Sequence, residues 1–358
     1  MNFLSTLDPG LILPIIGLTG ISLSLIASTT SSLFSEQLTS FVIGFICYFI
    51  FASIDYRIYT RFTWLFYFIS IALLGLTFFS PAVRGSNRWL SIGSFNSFQP
   101  SEVIKPIIVV ITANLALNEK KNDLFSLLKR FLIFSPIIFI IFRQPDLGNV
   151  IVFLFIFFSM EIINGLSWIY YIFGIAALSA LIPIIWHFLR DYQKLRVISF
   201  LNPQSDPAGA GYNSLQAMIA IGSGGLFGQG LGRGTQSHLL FLPEYHTDFV
   251  FASLGEELGL FGGTIVIVFY FLLLGRILSI AYSSQDEFGK LICIGIFSQI
   301  FIQVFINMGM NLGLLPITGI TLPLLSYGGS SILGTCVALG MVVSIMRNTK
   351  SRSPIVIG

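Results

Sequence analysis

The sequence predicts an all-α, polytopic membrane protein of about ten transmembrane helices, with one long extracytoplasmic loop between helices 7 and 8. Composition and run length carry this. Hydrophobic residues make up 54% of the 358-residue chain and charged residues only 10%, with a mean hydropathy of +0.87. A soluble globular protein carries roughly 25% charged residues. Long unbroken apolar runs, such as Ile12–Ala27, Thr63–Phe79 and Leu166–Trp186, fit the roughly 20 residues that cross hydrocarbon as a helix. A membrane barrel would instead show segments of about ten residues with alternating polarity. Because only helices and closed barrels satisfy the backbone in lipid, a helical bundle follows. A soluble monomer, intrinsic disorder, a collagen-like fibre and a disulfide scaffold are excluded. The net charge of +3 is too small and too scattered for a nucleic-acid partner.

In chain order the spans are read as Leu11–Thr29, Thr39–Ile54, Phe62–Phe79, Val103–Leu117, Phe131–Phe142, Leu147–Ile163, Leu166–Trp186, Phe249–Leu274, Leu291–Asn311 and Ser331–Met346. The first lacks the basic leader and short core of a signal peptide. The fifth and sixth are short, and only Arg143, Gln144, Pro145 and Asp146 separate them, which suggests a tilted hairpin. Cys47, Cys293 and Cys336 are odd in number and sit in apolar runs, so buried inert thiols are expected.

Lys and Arg in short loops set the topology. Arg57, Arg61, Lys120, Lys121, Lys129, Arg130, Arg276, Lys290, Arg347, Lys350 and Arg352 fall on one side if both termini are cytoplasmic. The short loops of the other side hold only Arg84, Arg88 and Arg143. The long segment 187–247 is exempt from the charge rule by its length and lies outside, within a single membrane domain spanning 1–358. It contains a turn at Pro203–Pro207, an amphipathic stretch Tyr212–Ile221 with Leu215, Met218 and Ile219, a Gly-rich run Gly222–Gly234, and Phe241-Leu-Pro-Glu-Tyr-His-Thr-Asp248 leading into the eighth span. Loops this long are functional or disordered, and the patterning argues against disorder.

Generic motifs fail. No Gly-x-x-x-x-Gly-Lys-Ser/Thr occurs, no strand opens the Gly-rich run, and no His-Glu-x-x-His is present. The Gly-rich run reads either as a loop of tight turns or as backbone N–H groups that bind an anion with Arg233. Asp248 reads either as a helix N-cap with Thr247 or as a partly desolvated general base tuned by His246, Glu244 and Arg233. Glu256 lies roughly 12 Å further along the helix. Charges there cost about 2.5–3.5 kcal/mol at mid-membrane, so Glu256 and Glu257 must face protein or water. Glu102 and Lys105 are spaced for an internal ion pair or a substrate contact. Asp146 reads as a cap. Arg84, Arg88 and Trp89 read as an interfacial anchor, and both arginines are suited to phosphate.

These residues fall into ordered blocks. They are Asn87-Arg-Trp-Leu with Gln99-Pro-Ser-Glu102; Arg143-Gln-Pro-Asp-Leu-Gly148; Asp206-Pro-x-Gly-x-Gly-Tyr-Asn-Ser-x-Gln216; Ile219-Ala-Ile-Gly-Ser-Gly-Gly225; Gly234-Thr-Gln236; Phe241-Leu-Pro-Glu-x-His-Thr-Asp-Phe249; Glu256-Glu-Leu-Gly259; and Asn307-Met-Gly309 through Pro316-x-Thr-Gly319 to Pro323-Leu-Leu-Ser-Tyr-Gly-Gly-Ser330. With them the sequence resembles the SEDS family (shape, elongation, division and sporulation) over nearly the whole chain. Gly234-Thr-Gln236 favours the elongation branch over the division branch, and Ala217 stands where the family pattern has Ser.

The resemblance implies a peptidoglycan glycosyltransferase acting on lipid II outside the bacterial cytoplasmic membrane, with ten spans and both termini inside. It implies a class B penicillin-binding protein as partner, and it makes Asp248 the catalytic candidate. On that expectation Asp248 takes the proton of an acceptor hydroxyl. Arg233, Arg84, Arg88, Arg196 and Lys105 are candidates for the charge on the leaving pyrophosphate. Glu102 and Glu256 shape the inner cavity, and His246, Glu244 and Gln236 are expected at the substrate. No resident cofactor is implied; a divalent cation, Mg or Mn, is the alternative source of positive charge. Two rivals remain: a flippase for the same lipid, for which no pair of broken helices is evident, and a non-catalytic scaffold for the transpeptidase.

Overall fold

The computed structural model describes residues 8–81, 87–92, 95–118, 123–189, 191–202 and 211–350. Almost all of them are helical. Among the described residues seven helices are long and apolar enough to cross a membrane: Pro9–Thr29, Ser31–Ser53, Tyr56–Phe79, Leu124–Arg143, Val250–Ser283, Glu287–Asn311 and Gly329–Thr349. Lys105–Asn118 and Leu147–Ile163 are shorter apolar helices, and Trp168–Phe188 is a further helix.

Local chemistry explains the boundaries. Asp8 caps α1 (Pro9–Thr29) by accepting from the Gly10 N–H, with proline in the first turn. α2 spans Phe34–Ser53 and α3 Thr63–Leu76. A short antiparallel hairpin, β1 (Leu90–Ile92) and β2 (Phe95–Phe98), sits between the helices. α4 (Pro100–Val103) and α5 (Lys105–Asn118) meet at Ile104. α6 (Leu124–Arg143) begins earlier than expected, because Asp123 accepts from the Ser126 N–H and hydroxyl. Lys129 and Arg130 are therefore helical rather than in a loop. α7 (Leu147–Ile163) is capped by Asp146, which accepts from the Asn149 N–H. α8 (Trp168–Phe188) and α9 (Asp191–Leu201) follow, then α10 (Tyr212–Gly224) and α11 (Thr235–His238). The expected turn Pro203–Pro207 lies outside the described residues.

α13 (Glu287–Asn311) and α14 (Gly329–Lys350) form the centre. α14 packs on α2, and α13 packs on α5, α7 and α12. One end of the bundle is tied by ion pairs. Arg276 donates to both oxygens of Asp8 at 2.6 and 2.9 Å, and Arg130 grips Glu161 at 2.6 and 2.8 Å in a buried fork. Arg276 thus sits inside a helix, not in the loop the sequence suggested.

α12 (Val250–Ser283) is the informative element. At 34 residues it is longer than a span needs, and it is broken at Gly259, with φ 65° and ψ −163°. The expected single span Phe249–Leu274 is thus two pieces: a half-helix Val250–Leu258 and a crossing half from Leu260. The backbone groups freed at the break are taken by the Gly-rich segment. Gln229 and Gly230 donate to the carbonyls of Glu256 and Glu257, while Leu260 and Phe261 donate to those of Gly225 and Leu226. A side-chain carbon on Gly224 would overlap the Gly255 carbonyl, and one on Gly259 would overlap the Gly228 nitrogen. Only glycine permits this approach. α10 packs on α12 through its small residues Ser214, Ala217, Ala220 and Gly224, while Met218 and Ile219 are exposed.

Candidate active site

The turn Glu244–Asp248 sits at the other end of the bundle, ahead of α12. Glu244 adopts φ 54°, and its carbonyl accepts from the Thr247 and Phe249 N–H groups. Its carboxylate accepts from the Thr247 hydroxyl at 3.1 Å. Three elements hold this turn from outside. The Tyr245 hydroxyl bonds to that of Thr30 after α1 at 2.6 Å. The Tyr327 N–H donates to the His246 carbonyl at 2.8 Å, and the Ser326 hydroxyl donates to that of Thr247 at 2.7 Å. The imidazole of His246 meets the rings of Tyr245 and Tyr327 edge-on.

Asp248 is half-buried. It is not the helix cap: Phe249 holds that position without a side-chain bond. The Ala252 N–H is instead satisfied by Asn311 Oδ1 of α13 at 3.0 Å. The Asp248 carbonyl accepts from Asn307 Nδ2 and Asn311 Nδ2, each at 3.0 Å. Its carboxylate lies against Gly319, where a side-chain carbon would sit 3.5 Å from Oδ2. In the sequence Asn307 opens one of the ordered blocks without an assigned role, and Asn311 is not singled out. The available signal was a polar stripe, Gln299, Gln303, Asn307 and Asn311, repeating every fourth residue on an apolar span.

The other motif blocks reach this point through contacts. Gly148 packs against Thr318 and Ile320, the neighbours of Gly319. Asp146 accepts from Asn149 Nδ2 at 2.9 Å and Gln99 Nε2 at 3.3 Å, and Arg88 Nη1 lies 3.6 Å from it. Arg88 Nε is buried and has no hydrogen-bond partner among the described residues. The Gln99 N–H donates to the Ser330 hydroxyl. Lys105 Nζ bonds Glu102 at 2.6 Å and Gln303 Oε1 at 2.8 Å in its satisfied orientation, and is fully buried. This is the internal ion pair, so Lys105 is withdrawn from substrate contact and Glu102 is paired rather than open to a cavity.

Glu256 and Glu257 are fully buried on α12, where their carboxylates bond the segment 232–238. Glu256 accepts from the Gln236 N–H (2.7 Å), the Ser237 N–H (3.2 Å) and hydroxyl (2.9 Å), and the Thr235 hydroxyl (3.3 Å). It caps α11. Glu257 accepts from the Ser28 hydroxyl and the Gly232 N–H, with His238 Nε2 at 2.9 Å. Within the Gly-rich run the N–H groups of Gly228, Gln229, Gly230, Gly232 and Arg233 are bonded inside the protein. Gln236 contributes its backbone to Glu256, and Arg233 is exposed beside the run. Arg84 and the side chain of Arg196, on α9, lie outside the described residues. Among the described residues no three His, Cys, Asp or Glu side chains converge on a metal site.

The chain was compared with known proteins. The family model of the FtsW, RodA and SpoVE cell cycle proteins matches residues 4–351. The peptidoglycan glycosyltransferase MrdB of Escherichia coli K12 is 39% identical, covering 97% of this chain and 95% of its own. Stage V sporulation protein E of Bacillus subtilis is 36% identical, covering 88% and 87%. A solved chain from a peptidoglycan synthase complex that coordinates polymerization and crosslinking superposes with TM-score 0.83 at 28% identity, covering 96% of this chain and 98% of its own. The rod shape determining protein RodA of Thermus thermophilus superposes with TM-score 0.72 at 26% identity, covering 95% and 97%. Across its whole length, in sequence and in fold, the chain belongs to the FtsW/RodA/SpoVE family of cell cycle proteins, the SEDS family.

Proposed function

We propose that this chain is a peptidoglycan glycosyltransferase that polymerises lipid II into β-1,4 glycan during cell-wall elongation, with Asp248 as general base. The observation that carries this is a half-buried carboxylate held on a rigid turn at one end of a membrane bundle. Lipid II keeps its polyprenyl tail in hydrocarbon and its disaccharide in water, so the reacting atoms must meet at such a boundary. Asp248 takes the proton from the 4-hydroxyl of the acceptor GlcNAc. That oxygen attacks C1 of the donor MurNAc, and the bond to pyrophosphate breaks with inversion. General-base assistance supplies about 10²–10⁴ in rate. Arg88 and Arg233 are the described side chains left for the leaving charge, and no step here is routed through a divalent cation.

The proposal sets this bundle in the bacterial cytoplasmic membrane as one domain, with the Asp248 end outside and both termini inside. Arg57, Arg61, Lys129, Arg130, Arg276, Lys290 and Arg347 cluster at the other end, as the charge rule requires. The partner is a class B penicillin-binding protein, which crosslinks the strand. The test uses purified chain, cognate partner and labelled lipid II. Asp248→Asn should fold, bind the partner and form no glycan. Polymer at the wild-type rate would return Asp248 to a structural role.

One observation favours the flippase reading: the break in α12, a feature of transporter helices. Its backbone groups are already paired with the Gly-rich segment. Lipid moving across vesicles without polymer would nevertheless sink the enzyme reading.

A further inference from the structure

The polar stripe of α13 has no counterpart elsewhere among the described spans. Gln299, Gln303, Asn307 and Asn311 are all buried. Burying an amide without partners is costly; Gln299 Oε1 has no partner among the described residues, whereas both asparagines are held by bonds the fold supplies. The bonds of the two asparagines converge on one residue, Asp248. Asn307 Nδ2 has two hydrogens: one goes to the Asp248 carbonyl at 3.0 Å, the other to the Ile320 carbonyl at 2.7 Å. Asn311 Nδ2 also gives one hydrogen to the Asp248 carbonyl at 3.0 Å, and the other to the Asn307 carbonyl at 2.8 Å. Both lone pairs of the Asp248 carbonyl are therefore occupied from the most rigid part of the bundle. Asn311 Oδ1 then takes the Ala252 N–H, fixing how the chain turns into α12.

The second hydrogen of Asn307 adds a spacing function. Ile320 follows Gly319, whose Cα faces the Asp248 carboxylate. One amide thus ties the main chain of Asp248 to that of the 318–320 turn and sets the spacing between them. We propose that Asn307 and Asn311 are positioning residues for Asp248, holding its carboxylate at the distance from the 318–320 turn at which an acceptor sugar hydroxyl is received. This rests on the reading of Asp248 as general base.

The test measures glycan polymerisation by the full chain with its partner, as kcat and KM for lipid II, beside partner binding and the melting temperature. Asn307→Ala and Asn311→Ala remove the two bonds separately, so either variant that folds carries the test. A carboxylate displaced by about 1 Å loses on the order of 10²-fold in kcat. KM should stay within about threefold, because the sugar and lipid contacts remain. Partner binding should stay near wild type, and the melting temperature should fall only by the modest amount the orphaned main-chain groups cost, leaving the variants folded at the assay temperature. Wild-type kcat in the folded variants, with Asp248→Asn inactive, would overturn the positioning role and leave the base intact. Activity falling only in step with melting temperature and partner binding would also overturn it. An active Asp248→Asn protein would instead sink the general-base reading.

Discussion

Glu256→Gln tests whether the segment 235–242 is held by a buried carboxylate. The carboxylate receives two backbone N–H groups and two hydroxyls. Glutamine keeps the shape and one oxygen, but its NH₂ must face one of the two groups of donors. The hydroxyls of Thr235 and Ser237 can rotate to accept from it; the N–H of Gln236 or Ser237 cannot. One backbone donor is left orphaned, at about 1–3 kcal/mol, and the bonds that remain lose their charge assistance. A net cost of about 3 kcal/mol raises local opening about a hundredfold. Hydrogen exchange on the Gln236 and Ser237 amides reads this directly, with the protein in a bilayer disc. Polymerisation should fall in parallel, since the Leu242 N–H is anchored on the Gln236 carbonyl and the chain runs from there into the Asp248 turn. Unchanged protection of both amides would refute the claim that Glu256 holds α11.

Three further outcomes are expected. Gly259→Ala forces a side chain into a backbone conformation open essentially to glycine, at about 1–3 kcal/mol of strain, and also against the Gly228 nitrogen; the yield of folded protein in detergent should drop sharply. Arg130→Met leaves Glu161 buried and unpaired and should cost about 3–5 kcal/mol in chemical denaturation, most of which returns when Glu161→Leu is added. The Tyr327 hydroxyl donates to Glu36, and burial, then that bond and the Glu36 charge, push its pKa up. A raised folded pKa contributes stability that is present below the ordinary tyrosine value of about 10 and lost as pH climbs through the folded value. The melting-temperature difference between wild type and Tyr327→Phe should therefore be flat to about pH 10 and shrink only above it.

The spans were legible because hydrophobic run length is a local property, and lipid leaves the backbone few alternatives. Boundaries failed where a charge lay inside a helix. Arg130 and Arg276 read as loop residues because their partners, Glu161 and Asp8, are distant in sequence. The 249–274 span hid its break, since Gly259 is one glycine among several and only pairing with Gly225–Gly230 shows that the helix stops there. Asp248 was legible as a residue but not as a geometry. The groups that fix it, Asn307, Asn311, Ser326 and Gly319, lie some sixty to eighty positions later and meet it only through tertiary packing. Glu256 and Glu257 looked like intramembrane charges because sequence cannot show a loop folding back to meet them.

The glycine join between residues 224–228 and 255–259 works through main chain alone, so it cannot slide. Adding one residue between Gly224 and Gly228 would throw every pairing on the α12 break out of step. Extra residues near Leu239–Phe241, which are exposed, would be absorbed without disturbing it. The tip at 239–241 can therefore change in length while the join between 224–228 and 255–259 stays in register.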